Sequence, residues 1–148
     1  MAIMTFDTGC RAILGTYFNN SRPVDANLKL KLYCNNHTPN SSDTNANFVI
    51  AVGGGYADKT LNVGSWVINS NNDPSDAVYA NQVFTFTGPL TTNTTIYGWI
   101  VNDANNVSIY GDLLRDNTQS VISFTPTNNG DMLTIPCQYQ ASHGTPIV

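Results

Sequence analysis

The stretch FTFTGPLTTNTTIYGWIV, residues 84–101, shows the pattern on which the whole chain is built. Apolar residues alternate with threonines, a Gly-Pro pair interrupts the run, a threonine-rich tract follows, and the alternation then resumes. Such alternation places successive side chains on opposite faces, as in a half-buried β-strand. The stretch therefore predicts a strand, a turn and a second strand. None of its side chains is an obvious acid, base, metal ligand or nucleophile.

The overall composition favours β-structure as well. The chain has 148 residues, which is the size of one ordinary domain. All ten acidic residues are aspartate, and no glutamate is present. Helix surfaces are usually covered by Glu, Lys, Gln, Arg and Ala, whereas Thr favours strands and Asn favours turns. The abundance of Asn and Thr therefore predicts an all-β protein with Asn-rich loops.

The charge distribution argues against several classes of partner. The net charge is −4, and the three lysines and three arginines are scattered along the chain. Nucleic acid binding requires clustered positive charge, so we expect no nucleic acid partner. No segment reaches the apolar length of a membrane helix, and the N-terminus has no basic flank followed by an apolar run. We therefore expect synthesis in the cytoplasm and no membrane partner.

Short apolar-alternating runs recur at roughly ten-residue spacing along the chain. The clearest is LKLKLYC, residues 28–34, where Leu28, Leu30 and Leu32 are predicted to face a core. About seven or eight strands of this kind are typical of an antiparallel β-sandwich or jelly roll. The other predicted strands cover residues 59–69, 79–88, 94–103, 107–114, 120–126 and 131–140.

The whole chain, residues 1–148, is predicted to be one such domain, because no linker or internal repeat divides it. Residues 1–27 and 141–148 are less regular, and they are candidates for an N-terminal arm and a C-terminal tail.

Three predicted strand segments, VFTFTG, TIYGWIV and SVISF, hold no charged residue. Natural proteins usually protect exposed sheet edges with charge or proline. Since uncharged edges promote aggregation, we expect a homo-oligomer that covers them.

Three loops carry residues that could bind a ligand, and each also has a purely structural interpretation. The sequence GGGYADKT, residues 53–60, resembles a phosphate-binding loop, but Asp58 stands where that motif requires glycine. The sequence DTNAN, residues 43–47, begins like a calcium loop, but the glycine and the final acidic ligand are missing. His37 and His143 lie in a loop and in the tail without a nucleophile motif. We therefore expect no catalytic residue, metal ligand or cofactor.

The three cysteines, Cys10, Cys34 and Cys137, are far apart and odd in number. They form no Cys-x-x-Cys pair, and a disulfide framework or a zinc site would require closer or more numerous cysteines. We therefore expect three free thiols, as in a protein made in a reducing compartment.

Aromatic residues are numerous, and two interpretations of them stay open. Trp66 and Trp99 both fall inside predicted strands. Such residues either fill the core of a sandwich or stack on sugars at a binding surface. The sequence favours core packing for both, and it leaves a lectin-like surface as the alternative.

Several stretches together resemble small structural proteins of tailed bacteriophages, including cyanophages. They are LKLKLYCNNHTP (28–39), GGGYADKTL with the later Trp66 (53–66), the hairpin-like segment 84–103, and FTPTNNGDMLTI (124–135). Proteins of this kind sit in the virion, and some are capsid decoration (cement) proteins of β-sandwich form. The resemblance covers residues 28–140, and its motifs are structural rather than catalytic.

The resemblance implies a virion structural protein without enzymatic activity. The expected partners are the major capsid protein and further copies of this chain, as a homotrimer on the capsid exterior. The alternative is a tail-tip or fibre module that binds host surface carbohydrate. The apolar residues of the N-terminal segment are expected either to contact capsid and neighbouring copies or to form a first core strand: Phe6, Ile13, Leu14, Tyr17 and Phe18.

Overall fold

The computed structural model describes residues 3–20, 27–71 and 75–140. Within these ranges the chain forms one α-helix, two single-turn 3₁₀ helices and eight strands. The helix and strands are β1 (Met4–Thr5), α1 (Asp7–Phe18), β2 (Leu28–Tyr33), β3 (Lys59–Leu61), β4 (Val67–Asn69), β5 (Asp76–Thr85), β6 (Gly98–Asn102), β7 (Ser108–Leu113) and β8 (Met132–Gln140).

The strands form two antiparallel sheets that are arranged like the layers of a sandwich. The first sheet has five strands in the order β1-β7-β6-β2-β3, and the second has three in the order β4-β5-β8. Every pairing between neighbouring strands is antiparallel. The prediction of an all-β, single-domain antiparallel fold is therefore confirmed.

The main hydrophobic core joins side chains from both sheets. Leu30 and Leu32 are fully buried in it, as predicted, and Leu28 packs against it while remaining partly exposed. Burial of one such side chain is worth ~1.5–3 kcal/mol, so this layer carries much of the stability. Other buried members of the core include Trp99 and Val101 of β6, Phe84 of β5, and Ile135 and Cys137 of β8.

A second, smaller core covers the opposite face of the five-stranded sheet. Tyr33 and Ile100 point to this face, and the rings of Phe6 and Phe48 close over them. The ring centroids of Tyr33 and Phe48 are 5.0 Å apart, and those of Phe6 and Phe48 are 5.6 Å apart. The sheet is thus buried on both faces, which explains why every residue of β6 is buried.

The segment 84–101 forms two strands, but these strands do not pair with each other. Its first part ends β5 in the three-stranded sheet, and its last part belongs to β6 in the five-stranded sheet. The connection crosses from one sheet to the other and is held by isolated bridges, Gly53 to Leu90 and Ile96 to Phe124. The hairpin-like interpretation was therefore wrong. Alternation specifies which face a side chain takes, and it does not specify the partner strand.

The predicted strand over 59–69 is also divided between the sheets. β3 belongs to the five-stranded sheet, a 3₁₀ turn follows at Val63–Ser65, and β4 belongs to the three-stranded sheet. Gly64 lies within that turn, where the chain changes sheets. The predicted strand over 120–126 is reduced to isolated bridges at Val121 and Phe124.

The N-terminal segment is part of the folded body. β1 pairs with β7, and α1 begins directly after Phe6. Residues 4–18 therefore do not extend away from the domain as an arm. Residues 1–2 and 21–26 of the proposed arm and the whole of the proposed tail, 141–148, lie outside the described residues.

We expect Leu30→Ala to lower the free energy of unfolding by about 2–5 kcal/mol, because it leaves a cavity in a fully buried site. Chemical denaturation followed by far-UV circular dichroism would measure the change. Val121→Ala is the matched control, since Val121 is 55% exposed and its truncation should change stability by no more than about 0.5 kcal/mol. A similar loss in both variants would contradict the assignment of Leu30 to the core.

All three cysteines are unpaired in the structure, and they differ in accessibility. Cys10 is exposed, whereas Cys34 and Cys137 are buried, and burial raises the pKa of both buried thiols to about 11. Since the thiolate is the reactive form, a thiol reagent at pH 8 should modify one cysteine in the native protein and three after denaturation without reductant. A denatured count below three would contradict the assignment of free thiols.

Candidate contact surface

The orientation of α1 is set by a close approach to β7. Gly9 lies so near the backbone of Ile109 that a Cβ atom at this position would overlap the Ile109 carbonyl. Two hydrogen bonds hold the same end of the helix, from Phe6 N–H to the Ile109 carbonyl (3.0 Å) and from the Thr8 hydroxyl to the Ser108 carbonyl (2.7 Å). The helix therefore turns the side that carries Gly9 towards the sheet.

The side of the helix next to the one that carries Gly9 is apolar and exposed. Cys10, Ile13, Leu14, Tyr17 and Phe18 follow the i, i+3, i+4, i+7, i+8 spacing of one helix face, and we call them the α1 stripe. An amphipathic helix normally buries such a stripe against its own domain. Here Leu14 is 55% exposed, Tyr17 82% and Phe18 80%. The helical spacing was visible in the sequence, but the sequence did not show that the stripe faces solvent rather than the domain.

An open groove of about 680 Å³ lies between α1 and the β4 end of the domain. We call it the α1–β4 groove. One edge of the α1 stripe, Ile13 and Tyr17, forms part of its wall. Exposed residues near the sheet corner, Val63 (50% exposed) and Ile68 (66%), form another part. The other described lining residues are Ala12, Thr16, Asn20, Leu28, Trp66, Ala77, Asp103, Ile109, Tyr110 and Tyr139.

The polar groups of the groove are few, and most of its wall is aliphatic or aromatic. Asp103 is the only charged residue among the described lining residues, and it is mostly buried. Its Oδ1 accepts the N–H groups of Asn105 (2.9 Å) and Val107 (2.8 Å), which forms the turn after β6. The buried Tyr110 hydroxyl has no hydrogen-bond partner in the described part of the chain, and burial raises its pKa. The groove therefore suits a largely apolar occupant.

Two residues for which the sequence left both a surface and a core position open are buried. Phe6 is completely buried in the smaller core, so it cannot contact capsid or a neighbouring copy in this structure. Trp99 is 4% exposed and packs edge-on against Tyr110, with 5.8 Å between ring centroids. The lectin-like role is therefore wrong for Trp99. Trp66 is half-buried, lies in the α1–β4 groove and packs against Tyr79 at 5.2 Å.

The glycine-rich loop at 53–60 serves chain packing in this structure. Gly53 and Gly54 both have positive φ, and a Cβ on either would collide with residues 88–91. The Thr87 N–H donates to the Gly54 carbonyl (2.8 Å), which fixes the loop against the opposite segment. Lys59 lies over the ring of Phe84, with 5.4 Å from Nζ to the centroid. These contacts agree with the structural interpretation of the loop.

The loop that resembled the start of a calcium site is closed by its own hydrogen bonds. The Asp43 carboxylate accepts from the Asn40 backbone N–H (2.8 Å) and from Asn40 Nδ2 (3.0 Å), and it pairs with His37 Nε2 at 2.7 Å. The Asn45 Oδ1 accepts from Asn102 Nδ2 (2.7 Å). These oxygens are therefore already engaged by protein donors. His143 falls outside the described residues.

A second cleft of about 410 Å³ lies between the end of β7 and the edge of β8. Its charged groups are engaged by protein partners. Arg115 Nε donates to Asp112 Oδ2 (3.1 Å), Arg115 Nη1 donates to the Gln119 carbonyl (3.0 Å), and Asp116 Oδ1 accepts the N–H groups of Thr118 and Ser120. Across residues 3–20, 27–71 and 75–140, no group of three or more His, Cys or Asp side chains is placed to hold a metal ion. In the same ranges no helix is long and apolar enough to span a membrane.

The sequence and the structure were compared with known proteins in three ways. No protein-family model, no curated protein and no solved structure matches this chain.

Proposed function

We propose that this protein is a virion structural protein, most specifically a capsid decoration protein that binds between major capsid subunits and stabilises a phage head. The observation that supports this proposal is the exposed α1 stripe. A stiff β-sandwich that presents an apolar helix face to solvent is suited to adhesion. The sequence resemblance to phage structural proteins supplies the identity of the surface to which it adheres.

The α1 stripe contributes little to the folding of its own domain. Leu14 and Phe18 remain mostly exposed, although exposed apolar side chains favour aggregation and large apolar patches usually mark interaction sites. The stripe also continues into the α1–β4 groove, where Val63 and Ile68 add further exposed apolar surface. A contact surface for another protein explains this arrangement, whereas a folding role does not.

We further propose that the chain has no catalytic activity and requires no cofactor. Three aspartates that are wholly or mostly buried accept structural hydrogen bonds or form an ion pair. Asp43 closes its loop, Asp103 forms the turn after β6, and Asp112 pairs with Arg115. These contacts favour a structural role for the three aspartates.

We include a homo-oligomer in the same proposal. The sequence suggested it from uncharged strand segments, whereas the structure supports it through other exposed surfaces. β5 and β6, which contain parts of two of the three uncharged segments, are interior strands of their sheets. Among the edge strands, β8 carries Pro136, which limits unwanted pairing, whereas β4 reads Val-Ile-Asn without charge or proline. Thus β4 and α1, on either side of one groove, are the surfaces that a neighbouring copy would cover. A closed trimer would multiply weak capsid contacts through avidity.

We expect the double variant Leu14→Asp/Phe18→Asp to lose retention on purified expanded phage capsids, because two charges at the centre of the apolar surface prevent the association of copies on which avidity for the capsid depends. Retention after sedimentation would be measured against wild type and against Val121→Asp. Val121 is a matched control, since it is also exposed and apolar but lies outside the α1 stripe and the groove. Equal retention of all three proteins would contradict the proposed contact surface.

The double substitution is preferable to a deletion of residues 1–20, because the deletion would also remove the buried Phe6 and the strand β1, which pairs with β7. The location of the protein is tested separately by its abundance in purified virions. Many copies per particle indicate the capsid, and a few copies indicate the tail.

Carbohydrate binding by a tail-tip or fibre module is the second candidate function, because Trp66 lies in the groove near Asn20 and Asp103. A sugar site combines stacking aromatics with several polar groups. The aliphatic wall formed by Ile13, Val63 and Ile68 fits such a ligand poorly. We expect no signal on a glycan array. A signal that Trp66→Ala abolishes, while Val121→Ala retains it, would favour the carbohydrate-binding module instead.

A further inference from the structure

We propose that the outer face of α1 in one subunit inserts into the α1–β4 groove of the next subunit, so that copies of this chain join head to tail in a closed ring. This inference identifies the self-association contact of the proposed decoration protein, and in that respect it rests on the proposed function. A head-to-tail contact requires two different, complementary patches on every subunit. The structure provides both of them.

The first patch is a ridge formed by Arg11, Leu14 and Phe18. These residues follow the i, i+3, i+7 spacing, so they lie in one line along the helix. Leu14 and Phe18 are 55% and 80% exposed, and Arg11 is exposed as well. Arg11 forms no ion pair with any residue that the structure describes. The ridge thus presents two apolar side chains and one cation that has no ion pair within the described ranges.

The second patch is the α1–β4 groove, which has the complementary character. Its wall is mainly apolar, its volume of about 680 Å³ is large enough for several side chains, and its one charge in the described part is the anion of Asp103. An apolar ridge that carries a cation therefore meets an apolar groove that carries an anion. This charge complementarity, present within one sequence, favours a second copy over an unrelated partner.

The two patches cannot satisfy each other within one subunit. Ala12 and Thr16 of α1 line the groove, whereas Arg11 and Phe18 lie about 100–160° further around the helix axis. The ridge consequently faces away from the groove beside it. Contact between them requires a neighbour, and repetition of the same contact produces either a ring or an open filament. A ring leaves neither patch exposed, so it removes the aggregation hazard that a filament would retain at its ends.

The decisive experiment uses two variants that each destroy one patch. The ridge variant is Leu14→Asp/Phe18→Asp, and the groove variant is Val63→Asp/Ile68→Asp. All four positions are at least 50% exposed, so both proteins should keep the fold, which circular dichroism would verify. Val121→Asp serves as the control. Masses would be measured by light scattering coupled to size exclusion, in buffer without capsids.

We expect wild type and Val121→Asp to form one discrete oligomer, and each patch variant alone to be a monomer of about 16 kDa. An equimolar mixture of the two variants should form a dimer and no larger species. In that mixture the intact ridge of the groove variant meets the intact groove of the ridge variant, and the second contact is blocked. Formation of this dimer only on mixing is the specific signature of a head-to-tail contact.

Three results would overturn the proposal. The first is a wild-type protein that is monomeric in solution. The second is a patch variant that forms an oligomer of the same mass as the wild type. The third is a mixture that stays monomeric although each variant alone is also a monomer. A wild-type mass that rises continuously with concentration would overturn ring closure. Capsid retention distinguishes the proposals, because a monomeric wild type that still binds capsids preserves the decoration function and refutes the ring. A discrete oligomer that does not bind capsids preserves the ring and refutes the decoration function.

A double-mutant cycle tests the charged part of the contact. Arg11→Ala and Asp103→Asn should each raise the dissociation constant of the oligomer about tenfold, because each leaves the other group unpaired. Asn at position 103 keeps the Oδ1 acceptor that holds the turn. If Arg11 and Asp103 meet, the double variant should be no weaker than either single variant. An additive loss of about a hundredfold would show that the two residues do not interact.

Discussion

The close contact between Gly9 and the backbone of β7 is the constraint on which the surface of this protein depends. Only a residue without a side chain allows α1 to lie so near Ile109. Once that side of the helix faces the sheet, helical geometry fixes where every other side chain goes. The small residues Gly9 and Ala12 are turned inward, and the α1 stripe is turned outward. The apolar surface is therefore a consequence of backbone packing at one position.

The sequence predicted the fold class because its strongest signals are local. Alternation in 28–34 correctly predicted that Leu30 and Leu32 face a core. The sequence could not show that Tyr33 would be buried on the other face, because the rings that cover it, Phe6 and Phe48, come from distant segments. Strand pairing is non-local for the same reason, and the segment 84–101 was therefore assigned to one hairpin although it joins two sheets.

The candidate surface was predictable only in part. The apolar residues of the N-terminal segment were identified as contacts or core, and the structure divides them between these roles, with Phe6 inside and Leu14, Tyr17 and Phe18 outside. Their helical spacing could have predicted α1, but the Thr- and Asn-rich composition favoured strands everywhere. The groove could not be predicted, because it forms between α1 and two segments that are far from it in the sequence. These segments are the 3₁₀ turn at Val63–Ser65 and β4.

The apolar character of the α1 stripe and the groove determines how a contact made through them would depend on ionic strength and temperature. Most of the exposed area at the α1 stripe and the groove is apolar, and Arg11 and Asp103 are the charges assigned to the contact. Salt screens exposed charges, yet it does not weaken burial of apolar surface. Such a contact depends on shape and on exclusion of water, so it tolerates wide changes in ionic strength. Cooling, in contrast, weakens hydrophobic association, so the contact would loosen at low temperature before the β-sandwich itself unfolds.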